Sequence, residues 1–300
     1  MKGFLVFLPM LFSLATVPAH AELKVFACEP EWAALAQELG GEKVSVFTAT
    51  TARQDPHRIE ARPSLIARLR QADLLVCTGA DLEAGWLPVL LRQAGNARVQ
   101  PGRPGYFEAA QHVQMLEIPA RLDRAEGDVH AAGNPHLHTD PRRIGRIAGP
   151  LAERMARIDP ANAAHYRERH ARFAERWERA LADWTRRAAP LRGMRVVTQH
   201  RDWIYLHDWL GLEDAGVLEP KPGLPATAGH LSALSAELAR RPARAVIRTP
   251  YQDPRPSAWL AQRTGVRQVV LPYTIGGSER ARDLFGLFDD TLERLLELLE

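Results

Sequence analysis

Hydrophobic positions in the chain alternate between two periods. "LKVFAC" (23–28), "KVSVFTAT" (43–50) and "DLLVCTG" (73–79) are short apolar runs bounded by turn residues, as strands of a buried sheet are. Between them, "EPEWAALAQELGG" (29–41) and "SLIARLRQA" (64–72) carry helical spacing, the first closed by glycine. "VQMLEIP" (113–119) reads as a further strand. From Pro141 the period is helical throughout: one helix over 141–158, then a longer one from Asp159 as N-cap with Pro160 in its first turn. In that second helix Tyr166, Phe173, Trp177, Leu181 and Trp184 step by seven, four, four and three, which is one face. Strand and helix then alternate again. "MRVVTQH" (194–200), "ARAVIRTP" (243–250) and "VRQVVLP" (266–272) are strands. "RDWIYLHDWLG" (201–211), "LSALSAELARRP" (231–242), "SAWLAQRTG" (257–265) and residues 279–300 are helices.

Such alternation predicts an α/β fold of two lobes, each a parallel sheet flanked by helices, joined by one long helix. The boundaries fall at 22–158 for the N-terminal lobe, 159–190 for the linking helix and 191–300 for the C-terminal lobe. A helix of that length runs roughly 40 Å, longer than a small lobe, and reads as a rigid strut across both. It would limit hinge opening, leaving the Gly/Pro-punctuated loops "LEPKPGLPATAGH" and "EGDVHAAG" as the moving parts. Residues 1–21 stand apart: Lys2, an apolar run and a small-residue "AHA" end make a secretory signal cut after Ala21. No later stretch is apolar enough to span a bilayer, and Cys28 lies too deep for a lipid-anchor cleavage site, so a periplasm is the expected compartment.

Composition adds little to this and excludes one class. Lys plus Arg number 39 against 36 Asp plus Glu, a net +3, and the arginines lie beside acids along helices, as in "RERHARFAERWERAL". That is a solvated face rather than a nucleic-acid patch. The two cysteines, Cys28 and Cys77, each end a strand. If those strands are neighbours, the thiols lie within bridging reach, and both a disulfide and two buried free thiols remain open.

Histidine carries the chemistry. "HAAGNPHLHTDPRR" holds His130, His136 and His138 in a stretch that Pro135 and Pro141 keep from being helical. Parallel α/β sheets bind ligands beyond the carboxyl ends of their strands. His57 follows a strand in the turn "QDPH", His136 lies in "GNPH", and His200 ends "MRVVTQH". Two come from the first lobe and one from the second, so they converge only in a cleft between lobes. Three neutral imidazoles with one oxygen donor suit four-coordinate Zn2+. His138 is expected beside the site or in solvent, and His130 is expected to be solvated, with transient metal capture as its alternative. His112 is expected to be structural, and His165 and His170, five apart, to lie on the surface. For His207 and His230, packing is expected over support of the ligands.

In this order the motifs resemble the zinc and manganese ABC-transporter solute-binding proteins with a rigid helical linker, over nearly the whole mature chain. "ATTARQDPHRIEARPSLIARLRQADLLVCTGADLE" is similar to the block around the family's first ligand, "GNPHLHTDP" to the second and "VTQHRDWIYLHDWLGL" to the third. The resemblance implies ligand roles for His57, His136 and His200 and a Zn2+ cargo. It also implies delivery to an ABC permease with its cytoplasmic ATPase, with a metallochaperone as a further candidate partner, by a monomer that is not an enzyme. The family commonly places a carboxylate just after the last strand. Here that stretch reads "LPYTIGG", so Asp283 is the nearest carboxylate for a fourth ligand, with water as the alternative. Manganese members carry a carboxylate where His200 stands, which makes this set nitrogen-rich and favours Zn2+. Two other readings of the same residues are a binding protein for manganese or another divalent metal, and a secreted zinc hydrolase, for which Asp55 or Glu60 would have to serve as general base. A metallochaperone or an adhesin on this scaffold is a further one.

Overall fold

A computed structural model describes residues 22–121, 127 and 130–300. The secretory signal expected over 1–21, and residues 126, 128 and 129 of "EGDVHAAG", lie outside the described residues. No helix among the described residues is long and apolar enough to cross a membrane.

The first sheet contains β1 (Leu23–Ala27), β2 (Val44–Thr48), β3 (Leu74–Cys77) and β4 (Tyr106–Glu108), all parallel, in the order β2-β1-β3-β4. The second contains β5 (Arg195–Thr198), β6 (Glu213–Val217), β7 (Ala245–Arg248) and β8 (Arg267–Val270), parallel, in the equivalent order β6-β5-β7-β8. Strand parity divides the core. Val25, Ala27, Leu74 and Val76 face inward onto α1 (Pro30–Gly40) and α4 (Pro141–Ile158). Phe26, Cys28, Leu75 and Cys77 face outward onto α2 (Pro63–Gln71) and α3 (Leu87–Ala94). In the second sheet, Val197 and Val246 pack outward onto α7 (Ala228–Arg240) and α8 (Pro254–Thr264).

The inward core is continuous from one lobe to the other, and α5 (Ala163–Ala188) is the reason. Its 26 residues span about 39 Å at ~1.5 Å each. Near its start, Arg169 Nε donates to Glu38 O and His165 Nε2 bonds Gly40 O, both at the end of α1. Farther along, Trp177 and Trp184 pack against Phe285 and Phe288 of α9 (Leu284–Leu296). Tyr166, Phe173, Trp177 and Trp184 of the predicted face are buried, and Leu181 is half-buried. The helix begins later than the Asp-Pro signal implies, because 160–162 form a 3-10 turn. Asp159 accepts instead from Asn162 Nδ2 and Tyr166 Oη.

Cys28 and Cys77 are bonded, with Cα atoms 4.8 Å apart. The β1–β3 register pairs Ala27 with Val76, so one residue further on the two cysteines stand opposite each other on the outward face.

Three features differ from the pattern. "VQMLEIP" forms no strand: its backbone is spent on Tyr205, whose Oη accepts from Leu116 N, and on Asn134 N, which donates to Leu116 O. The fourth strand is the three-residue β4, too short to show alternation. The edge strand β6, "EDAGV", is acidic and contains glycine, against ordinary strand preference.

Candidate metal centre

His57, His136 and His200 come together at the cleft. One ligating atom from each lies within 4.8 Å of the others, and their ring centroids are 5.2, 5.5 and 5.8 Å apart. The other cluster of ligand-type residues among those described is Cys28, Cys77 and Glu83, and its thiols are consumed by the disulfide.

Each histidine is held by its Nδ1. In "QDPH", Asp55 Oδ1 accepts from the His57 backbone N–H at 3.0 Å and lies 2.9 Å from His57 Nδ1, so one carboxylate fixes both turn and ring. Trp86 Nε1 donates to Pro56 O at 2.9 Å and ties this turn to the first lobe. Gly85 lets the two segments meet, since a Cβ there would lie 2.9 Å from His57 O. In "GNPH", Asn134 Oδ1 accepts from His136 N, Asn134 Nδ2 donates to Arg201 O, and Tyr205 Oη donates to Asn134 O. This loop of the first lobe is thereby fastened to the second. His136 Nδ1 lies 2.7 Å from Tyr273 Oη, and His200 Nδ1 lies 2.7 Å from Glu219 Oε2, which also accepts from Gly223 N.

A carboxylate only accepts, so His57 and His200 carry their proton on Nδ1 and turn a bare Nε2 lone pair elsewhere. Nε2 of His57 and of His136 are buried without a hydrogen-bond partner. Two orphaned imidazole nitrogens in neighbouring rings, beside a third ring, are costly unless an electrophile satisfies them. Burial, reinforced by the neighbouring imidazoles, holds the His136 pKa well below the ordinary histidine value. At His200 burial also pulls downward and is the largest influence. The hydrogen bond to Glu219 and the charges of Asp202 and Glu219 outweigh it, and the pKa is raised. Asp55 is pushed upward by burial, but its hydrogen bond to and attraction for His57 win, and its pKa is lowered.

Asp283 is not part of this arrangement. It is exposed, and its Oδ1 accepts from Gly286 N at 2.7 Å, the N-cap of α9. Four backbone N–H groups at a helix start need acceptors, and a carboxylate one residue ahead of the helix is consumed by that need. The place the sequence leaves without a carboxylate is filled by Tyr273. It adopts φ 60°, a conformation rare for a bulky residue, in the turn after β8. That turn sends its hydroxyl to His136, while its carbonyl oxygen lies 3.2 Å from His138 Nε2. His138 is fully buried rather than solvated, and its Nδ1 stands 3.3 Å from Glu31 of α1. Glu31 also accepts from Thr274 Oγ1. A polar chain therefore runs from His136 to Tyr273 of the second lobe and back through His138 to Glu31 of the first.

Among the described residues, the remaining histidines lie apart from the three, with one exception. The His130 ring is 5.4 Å from that of His57, at the mouth of the site. His112 stacks on Phe107, His230 bonds Val217 O, and His165 and His170 are half-buried on α5. His207 is buried, and desolvation lowers its pKa to about 4. The "TGADLE" loop owes its shape to Glu83, whose carboxylate accepts from Thr78 N and Gly79 N, and burial raises its pKa to about 7.

Asp55, Glu219 and Tyr273 are the supporting residues that motif reading did not assign. Asp55 had a signal, since an aspartate two before a histidine across a proline forms an Asx turn. Glu219 and Tyr273 sit in loops of the second lobe, distant in sequence from the histidines they touch.

A family model described as zinc-uptake complex component A, periplasmic (ZnuA), matches residues 25–298. The chain is 26% identical over 290 residues to the high-affinity zinc uptake system protein ZnuA of Paracoccus denitrificans, covering 85% of this chain and 84% of that protein. It is 22% identical to the manganese ABC transporter substrate-binding lipoprotein PsaA of Streptococcus pneumoniae, covering 87% and 85%. A crystal structure of ZnuA superposes with a TM-score of 0.76 at 21% identity, over 92% of this chain and 98% of the other.

Proposed function

Because the chain belongs to the ZnuA family of metal ABC transporter substrate-binding proteins, which carry a divalent metal and are not enzymes, we propose that its cargo is Zn2+, held by Nε2 of His57, His136 and His200. The observation that carries this reading is the pair of buried, partnerless Nε2 atoms beside the third ring. A tetrahedral ion with Zn–N of about 2.0–2.1 Å needs its nitrogens about 3.4 Å apart, inside the 4.8 Å that bounds the ligating atoms of the cluster. The set is all nitrogen, and nitrogen donors bind Zn2+ more tightly than Mn2+. With Asp283 occupied as a helix cap, water or another small donor takes the fourth position.

The protein acts in the periplasm as a monomer, after cleavage of the signal behind Ala21. It delivers the ion to a membrane permease served by a cytoplasmic ATPase, and a metallochaperone is a further candidate partner. The unit boundaries follow: lobes over 22–158 and 191–300, with 159–190 as the linking helix. The long helix packs on both lobes, which favours movement of loops over rotation of lobes. A hydrolase would need a free base by the metal, but Asp55 is bound to His57 and Glu60 is exposed.

Calorimetric titration tests the reading. One equivalent of Zn2+ is expected to bind at least ~10-fold more tightly than Mn2+. The His200 pKa lies above the ordinary histidine value, so its proton competes with the metal below that pKa and is absent above it. Zinc affinity is therefore expected to be level above the His200 pKa and to fall by roughly tenfold per unit per proton displaced as pH drops below it. Tighter Mn2+ binding, or a pH-independent constant, would contradict the assignment.

The ring-holding carboxylates give a separate expectation. Asp55→Asn and Glu219→Gln keep shape but no longer bias the imidazole toward a bare Nε2. Each is expected to weaken Zn2+ binding by about 10–100-fold, read by competition with a chromophoric chelator.

A further inference from the structure

Two of the three histidines, His57 and His200, border a space much larger than an ion requires. A cavity of about 710 Å³ begins at His57 and His200 and extends along the second lobe to Tyr251 and Trp259. A water occupies about 30 Å³. Cavities of roughly 300–1,000 Å³ are the class that encloses small organic ligands.

Its lining is that of an organic ligand site. Trp259, Tyr251 and Leu231 supply an aromatic and apolar wall. The mouth carries both signs of charge, with Arg58 near Asp55 and Arg255 paired to Asp253. Gln199, next to His200 in the chain, also lines the cavity; it is 8% exposed, and its Oε1 is buried without a hydrogen-bond partner. A buried amide oxygen in that state calls for a donor, and neither a bare cation already served by three imidazoles nor the apolar wall provides one.

We propose that this cleft takes the divalent metal together with a small zwitterionic chelator, an α-amino acid, whose body fills the cavity. The inference rests on the three-histidine assignment above and adds the occupant of the open coordination side. An α-amino acid chelates through its amine nitrogen and one carboxylate oxygen. With three histidine nitrogens the ion becomes five-coordinate, which zinc accepts. The coordinated amine keeps N–H groups to donate to Gln199 Oε1. The second carboxylate oxygen faces the arginines at the mouth, and the side chain lies against Trp259 and Tyr251. No bond within the chelator is made or broken. A polycarboxylate without an amine leaves Gln199 unsatisfied and brings extra negative charge against Asp55, Glu219 and Asp253.

Equilibrium dialysis with radiolabelled L-histidine as probe, with and without one equivalent of Zn2+, tests the proposal, with citrate as comparator and Zn2+ alone as a separate arm. The expected result is that L-histidine stays with the protein only when zinc is present and that citrate does not. Trp259→Ala is expected to reduce retention at least ~10-fold while Zn2+ alone binds as in the parent. Gln199→Leu, a smaller change in packing, is expected to reduce it as well. Loss of zinc to free L-histidine, retention of L-histidine without zinc, equal retention of citrate, or full retention in both variants would overturn the proposal. These outcomes leave the three-histidine site standing when the zinc-only arm shows binding. Failure of that arm instead overturns the proposed function, and this inference with it.

Discussion

His57→Ala, His136→Ala and His200→Ala are each expected to weaken Zn2+ binding by more than ~100-fold, beyond the 10–100-fold range for losing a group that only supports a ligand. The reason is geometric. Each ring is fixed through Nδ1 by a different segment, so no neighbour can swing in to replace a missing Nε2. The alanine at 136 also leaves Tyr273 Oη without its partner in a buried place. His138→Ala is expected to do less, because its nitrogens face Tyr273 O and Glu31 rather than the cluster. Asp283→Asn is expected to leave zinc affinity unchanged, because the amide oxygen still caps α9. Competition titrations on the five variants check this. Equal loss in His138→Ala and His136→Ala would mean that "NPHLH" presents the wrong histidine here.

Reduction of the Cys28–Cys77 bond is expected to cost about 4 kcal/mol of stability. The bond closes a loop of 49 residues, and chain-entropy accounting gives about 4 kcal/mol at 25 °C for a loop of that size. At an m-value of roughly 2–3 kcal/mol per M, the urea midpoint falls by about 1.3–2 M. Both sulfurs lie among Phe26, Leu75 and Leu90, so the reduced thiols stay buried and add no offsetting hydration. Unfolding curves with and without reductant measure the shift. Coincident curves would mean that the bond does not form in solution or that its loop is already constrained in the unfolded chain.

Two parts of this architecture were legible in the sequence for physical reasons. Strand parity is a property of the chain itself, so adjacency of β1 and β3 was enough to set Cys28 beside Cys77. The long helix declared itself through an aromatic stripe that only one helical face can generate. The three histidines were legible because each ends a strand or sits in a proline-stiffened turn, and parallel sheets send those positions to one rim. What escaped depended on partners distant in the chain. Asp283 reads as a carboxylate near the last strand, yet nothing local tells whether it serves the metal or the helix start behind it. Tyr273 reaches His136 only because the turn after β8 holds it at positive φ. Glu219 and His200 are joined across the end of the second sheet, and His138 is drawn inward by Glu31, far earlier in its own lobe. The fourth strand was misplaced because three residues carry no period, while the apolar "VQMLEIP" imitates one and instead crosses to Tyr205 and Asn134.

Anomalous diffraction at the zinc absorption edge, from crystals of the protein loaded with one equivalent of Zn2+, tests the central claim most directly. The account predicts a single strong peak about 2.0–2.1 Å from Nε2 of His57, His136 and His200. A peak outside this cluster, or one coordinated by His138 in place of His136, would contradict it.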